Sequence, residues 1–234
     1  MSTSSFKFYD FGAIFLTVCL AMLVGMDAAK SNGKIAKAKN NARVIWISIM
    51  SANCEREIHD LHLLWPGDLA EKDKTFKTAE DYFTYLLSNG TGNTIQKDPS
   101  HRIVSDLTPE MLLMKGLTYS ATHAKVMPSG NAWHVATIGD GDEAETPFLL
   151  SRNIKASDIR YATEKELNDM DASPLLSFKQ ESLPAMGENG IWLTKGGSTY
   201  HAKKHLLNIG RVNRGEQPNN QPPLKIMPAA DGYL

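Results

Sequence analysis

Residues 11–26 (FGAIFLTVCLAMLVGM) hold no charged side chain, and Phe6, Phe8 and Tyr9 extend the apolar character toward the start. At 1.5 Å per residue, a helix of roughly 16 residues spans about 24 Å, short of the ~30 Å hydrocarbon core, so the run is a marginal membrane helix. A cleaved secretory signal would carry a positive leader and a small-x-small exit, whereas only Lys7 precedes this run and Asp27 interrupts the exit. A buried core helix is the other alternative, and it fits less well with apolarity on every side. The expected element is an uncleaved or minimally trimmed membrane helix.

The helical pattern does not stop at Met26. No proline occurs from Ala28 through Ile58, and Ile35, Ala38, Ala42, Ile45, Ile49 and Ala52 recur at three- and four-residue steps. Lys30, Lys34, Lys37, Lys39 and Arg43 fill other positions, which predicts one amphipathic helix continuous with the apolar run. Ser31, Asn32 and Gly33 form a weak joint in it, because Gly costs about 1 kcal/mol against Ala inside a helix and Ser and Asn compete for backbone bonds. The helix must end before Trp65-Pro66-Gly67, since the residue before proline is pushed out of helical geometry.

Thr78 and Asp81 have capping-box spacing and predict a short helix (AEDYFTYLL) that closes at Asn89 and Gly90. Thr108 as N-cap, Pro109 at the first helical position and Gly116 after the last turn bracket a second (EMLLMK). Beyond Gly116 the texture changes to short runs bounded by Gly, Pro and Asp, at 132–138, 147–150 and 190–193, which read as antiparallel strands. Gly196 and Gly197 mark a hairpin with a two-residue loop. Thr163 and Glu166 form another capping box, and residues 214–228, rich in Gln, Asn and Pro, read as an irregular surface tail. The fold class expected is α+β: a long N-terminal helix, then a small antiparallel head with short helices. The divisions are 1–27 for leader and transmembrane half, 28–60 for the amphipathic half and 61–234 for the head, whose tail begins at about 214.

Composition adds exclusions. With 42% hydrophobic and 22% charged residues the chain has enough apolar material for a core, and a net charge of -1 supplies no basic field for nucleic acid. Its two cysteines, Cys19 and Cys54, make no disulfide framework.

The candidate chemistry is sparse. Glu55, Glu57, His59 and His62 sit close enough on one helix to suggest a metal set, but the spacing is not that of a zinc protease, and solvated side chains at a helix end are the simpler account. His201 and His205, four apart, would share one side of a helix, where Lys203 and Lys204 would repel a cation. The loop 139–145 (GDGDEAE) concentrates carboxylates, and Asp140 and Asp142 are the candidate ligands should it take calcium, although it lacks the twelve-residue spacing of an EF-hand. Trp133, Trp192 and Tyr200 read as core or sheet-face aromatics. Neither a nucleophile motif nor a nucleotide-binding loop occurs, so no enzymatic activity and no cofactor are expected.

A helix that is apolar and then amphipathic, followed by a small antiparallel sheet, resembles the plan of type IV pilins and of type II secretion pseudopilins. The wording is also similar over roughly 40–154, in NNARVIWISIMSANCEREI, LLWPGD, FKTAEDYFTYLL, GNAWHVA and TPFLLSRNI, and more loosely at the Gly196-Gly197 hairpin. The resemblance implies cleavage between Ser5 and Phe6, with Asp10 standing where the family has a glutamate five residues into the mature chain. Ser5 replaces the family's glycine, and no lysine or arginine precedes it. It further implies a structural subunit that self-associates into a helical filament. Its partners would be the inner-membrane assembly machinery and, before assembly, membrane lipid. Its place would be the bacterial envelope, either anchored in the cytoplasmic membrane with the head outside or in a surface or periplasmic filament. A single-pass anchored binding domain that never polymerises is the alternative.

Overall fold

In the computed structural model the described residues are 8–70, 76–87, 112, 126, 130–169, 173–215, 217, 223–230 and 232–234, with side chains of the first helix described from Ser31 onward. The first element is helix α1, Phe8–Ile58. It runs through Ser31, Asn32 and Gly33 without interruption, as the continuous helical pattern predicts. Among the described residues no helix is long and apolar enough to cross a membrane. Residues 11–26 belong to the part of α1 whose side chains lie outside that set.

The C-terminal half of α1 is seated in the head. Ile35, Ala38, Ala42, Ile45 and Ile49 are buried, and α1 lies against strands β3 (Asn189–Thr194) and β4 (Thr199–Lys203). This is the stripe expected from the three- and four-residue spacing, and it docks because apolar side chains on one helix face leave water together. Ala52, expected on the stripe, is only partly buried, and Asn53 takes the buried position instead, its Oδ1 accepting from the Leu64 N–H at 2.7 Å. That bond fixes the chain where it turns off the helix. Short helix α2 (Pro66–Ala70) then begins on a proline, which suits a first helical position whose N–H needs no partner.

Helix α3 (Ala79–Leu87) starts with the predicted box: Asp81 N–H donates to Thr78 Oγ1 at 3.2 Å and Thr78 N–H donates to Asp81 Oδ2 at 3.1 Å. Tyr82, Phe83, Leu86 and Leu87 are buried as read from the sequence. Tyr82 donates its hydroxyl to the Leu64 carbonyl at 3.0 Å, and its ring packs with Phe83 and Phe148. The closure at Asn89-Gly90 and the helix bracketed by Thr108 and Gly116 fall outside the described residues, apart from Leu112.

The sheet is five-stranded and antiparallel, in the order β4-β3-β2-β1-β5. β1 is Trp133–Ala136, β2 Pro147–Ser151 and β5 Ile226–Met227. Strands β1 to β3 occupy the segments expected, and β4 follows the hairpin expected at Gly196-Gly197. The β3–β4 turn uses four residues rather than two, with Gly197 at φ +85°. The strand β5 corrects the reading of 214–228 as irregular: Ile226 pairs with Ala136 and Met227 with Val135, so the segment closes the β1 edge. Helix α4 (Glu164–Asn168) carries the predicted Thr163–Glu166 capping box, and helix α5 (Ile209–Val212) is capped by Asn208.

Candidate functional site

The surface of α1 opposite its buried stripe is open. Ala36, Asn40, Arg43, Ile47, Ser51, Cys54 and Ile58 follow one another at helical spacing and are all exposed. Ile47 is 49% and Ile58 79% exposed, which is unusual for isoleucine on a helix already buried along its other side. Cys54 is a free, exposed thiol. Of the residues expected to direct processing and assembly, Ser5 and Phe6 lie outside the described residues; Asp10 lies in α1 with its side chain outside them.

At the end of α1 the Glu55, Glu57, His59, His62 group is exposed. The helix stops at Ile58, Asp60 takes φ +52°, and Arg56 donates from Nε to the His62 carbonyl at 2.5 Å. His59 and His62 therefore lie on a turn and beyond it, not on one helical face. His201 and His205 do not share a helix either. His201 is in β4, which runs on through Lys203, whereas His205 lies in the single 3-10 turn Lys204–Leu206 that follows it. Among the described residues no group of three or more His, Cys, Asp or Glu side chains is placed to hold a metal ion.

The loop 139–145 is internally braced. Asp142 is buried; its Oδ2 accepts from the Gly139 N–H at 2.7 Å and its Oδ1 from the Tyr161 hydroxyl. Burial and this carboxylate push the Tyr161 hydroxyl well above its ordinary range, so it stays protonated and donates. Asp140 is exposed and its N–H donates to Asp68 Oδ1 at 3.0 Å, while Gly67 N–H reaches the Ile138 carbonyl at 2.8 Å. Lys195 inserts from the β3–β4 turn, and its ammonium donates to the carbonyls of Asp140 and, at 2.6 Å, Asp142. Hard oxygen atoms of the kind calcium uses thus face a resident cation.

Trp133 is fully buried in β1, and Trp192 stacks on half-buried Tyr200 with centroids 5.5 Å apart, consistent with core and sheet-face roles.

A polar cluster that the sequence reading missed lies beneath β1. His134 is 1% exposed, and its Nδ1 accepts from the Ala229 N–H at 2.8 Å. That leaves Nε2 as the protonated nitrogen, facing the carbonyls of Ile154 at 3.0 Å and Arg152 at 3.2 Å. Burial lowers the imidazole to about 4, so the ring is neutral at pH 7. Beside it Glu80, 3% exposed, accepts from Asn131 Nδ2 at 3.1 Å and from the Ala230 N–H at 3.1 Å. Arg152 donates to the carbonyls of Ser182 at 2.5 Å and Asn131 at 2.9 Å. Every polar atom of His134 is engaged by main chain, so the ring is positioned to clasp the C-terminal segment and has no lone pair left for proton transfer. The signal in the sequence was a histidine inside an apolar strand and an arginine directly after another, AWHVATI and PFLLSR.

Compared with family models, curated proteins and solved structures, the chain matches none.

Proposed function

We propose that the chain is a structural filament subunit of the type IV pilin or type II secretion pseudopilin kind. The observation that carries this reading is α1: one 51-residue helix whose later half packs on the sheet through Ile35, Ala38, Ala42, Ile45 and Ile49 while its earlier half contains the uncharged run at 11–26. A helix of that length serves a soluble head poorly, since a few turns suffice to cover a sheet of this size.

In this reading the apolar half sits in the cytoplasmic membrane with the head outside, and assembly gathers such helices into a shared bundle. Moving the run from lipid to protein yields little new hydrophobic burial, so close packing and matched charges drive association. Cleavage between Ser5 and Phe6 would free an amine on Phe6, and Asp10 of a neighbouring subunit would neutralise it, since an unpaired charge in lipid costs several kcal/mol. The loop at Asp140 and Asp142 plays a structural part.

Intact mass of the native protein, with electron microscopy of sheared cell-surface material, tests the proposal. The expected result is loss of residues 1–5, an N-methylated Phe6, and filaments. An anchored protein that forms none would favour the non-polymerising binding domain, and a soluble product without the apolar run would refute both.

A further inference from the structure

The outer face of α1 carries segregated charge. Lys37 and Lys39 flank the exposed stripe near its start, and Glu55 and Glu57 flank it near its end. Glu55 stands 18 residues after Lys37 and Glu57 18 residues after Lys39, a separation of five helical turns, or about 27 Å. Each acid therefore lies directly along the helix from one lysine, one pair on each side of the stripe. Lys37, Glu55 and Glu57 are exposed, Lys39 is partly so, and among the described residues none of the four makes an ion pair within the chain.

We propose that this face docks against the same face of a second, parallel copy displaced by about five turns, with Glu55 and Glu57 of one copy beside Lys39 and Lys37 of the next. The inference rests on the filament reading above. When two parallel helices meet face to face their flanks cross, so Glu55 meets Lys39 and Glu57 meets Lys37. With no displacement, lysine would oppose lysine and glutamate oppose glutamate, and like charges at contact repel. The displacement also sets Ser51, Cys54 and Ile58 against Gly33, Ala36 and Asn40, small or short residues that permit close approach. A Cβ added at Gly33 meets nothing within 4 Å inside its own chain, so that side is open.

An antiparallel pair centred on Ile47 would also match charges, in the combinations Lys37 with Glu55 and Lys39 with Glu57. It would close into a two-fold dimer and point the two apolar half-helices in opposite directions, which one membrane does not accommodate. The displaced parallel contact is heterologous: each copy keeps lysines free at one end and glutamates at the other, so it repeats without closing.

The test uses the full-length protein with Cys19 and Cys54 both replaced by serine. Oxidation of K39C/E55C is expected to give ladders of disulfide-linked copies, while K37C/E55C and I47C give none. Dimers from I47C would show an antiparallel or an undisplaced parallel pair and overturn the proposal. In a second arm, K37E/K39E is expected to reduce filament yield roughly tenfold at low salt, with less effect at high salt where exposed charges are screened. The fourfold variant K37E/K39E/E55K/E57K is expected to restore it. Circular dichroism confirms that each variant is folded. Filaments indifferent to the reversal would overturn this contact and leave the filament reading intact, whereas absence of filaments from the unaltered protein would remove both.

Discussion

The indole N–H of Trp46 donates to the main-chain carbonyl of Lys195 at 2.7 Å, tying the middle of α1 to the β3–β4 turn. The same ring lies against Gly197, whose φ of +85° and lack of a side chain let the turn close over it. A Cβ at Gly197 would stand 2.9 Å from the ring. Helix and hairpin are thus registered by one aromatic side chain, and the same turn presents Lys195 to the loop at 139–145.

Gly197→Ala is expected to lose about 2 kcal/mol or more, from the unfavourable φ and the clash with the indole together. Trp46→Ala is expected to lose a similar amount, from packing and from the Lys195 carbonyl left without its donor. Because the two residues touch, the double variant should cost clearly less than the sum, the clash having no ring to meet. Urea unfolding of the four proteins measures this; strict additivity would contradict the contact.

His134 makes stability depend on pH. Its folded value, about 4, lies below the ordinary 6.5, so between those values the unfolded chain binds the additional proton and stability rises with pH. The contribution is fully present above pH 6.5 and is lost as pH falls through about 4, a difference on the order of 3 kcal/mol. Protonation would put a hydrogen on Nδ1 opposite the Ala229 N–H, with the Arg152 cation nearby, so the C-terminal segment should detach first. Urea unfolding between pH 4 and 7 should show the slope, and His134→Gln should flatten it. An unchanged slope in that variant would assign the effect to another group.

What was readable in the sequence is what local rules control. The burial of Ile35, Ala38, Ala42, Ile45 and Ile49 follows from spacing along one helix, and the boxes at Thr78 and Thr163 join residues three apart. The strands were bounded by their own glycines and prolines. β5 was not readable, because Ile226 and Met227 sit among prolines, asparagines and glutamines, and become a strand only by pairing with Ala136 and Val135. Long-range geometry also hid the site chemistry: Lys195 reaches Asp142 across 53 residues, and Ala229 reaches His134 across 95. The four-residue spacing of His201 and His205 was misleading for the opposite reason, since it obeys a helical rule in a segment that the sheet claims.

Glu80 opposes His134 in sign. Burial raises its carboxyl above the ordinary range, with bonds from Asn131 and Ala230 only partly offsetting it. The folded chain therefore holds its proton to higher pH than the unfolded chain, and stability falls as pH climbs from the ordinary carboxyl value through the raised one. Glu80→Gln keeps an acceptor for Asn131 and Ala230 and removes the buried charge. It is expected to match or exceed the parent at pH 7, while Glu80→Ala, which strands both donors, loses about 1–3 kcal/mol. Thermal unfolding at pH 7 distinguishes them, and a Gln variant as weak as Ala would mean that the carboxylate charge itself is needed.

Lys195 decides how the acidic loop responds to calcium. Its ammonium occupies the carbonyls of Asp140 and Asp142, and the Asp142 carboxylate is already committed to Gly139 and Tyr161. For a divalent ion to enter, a bound cation must leave and two hydrogen bonds to Asp142 must break. Millimolar calcium is therefore expected to leave the melting temperature of the parent protein unchanged. Lys195→Ala should cost about 1 kcal/mol, since the part-buried Asp142 carbonyl and the exposed Asp140 carbonyl lose a charged donor. If calcium instead raises the melting temperature of the parent, the ion displaces Lys195 and Asp140 and Asp142 are ligands after all; if it raises only that of the variant, the lysine is the residue that keeps calcium out.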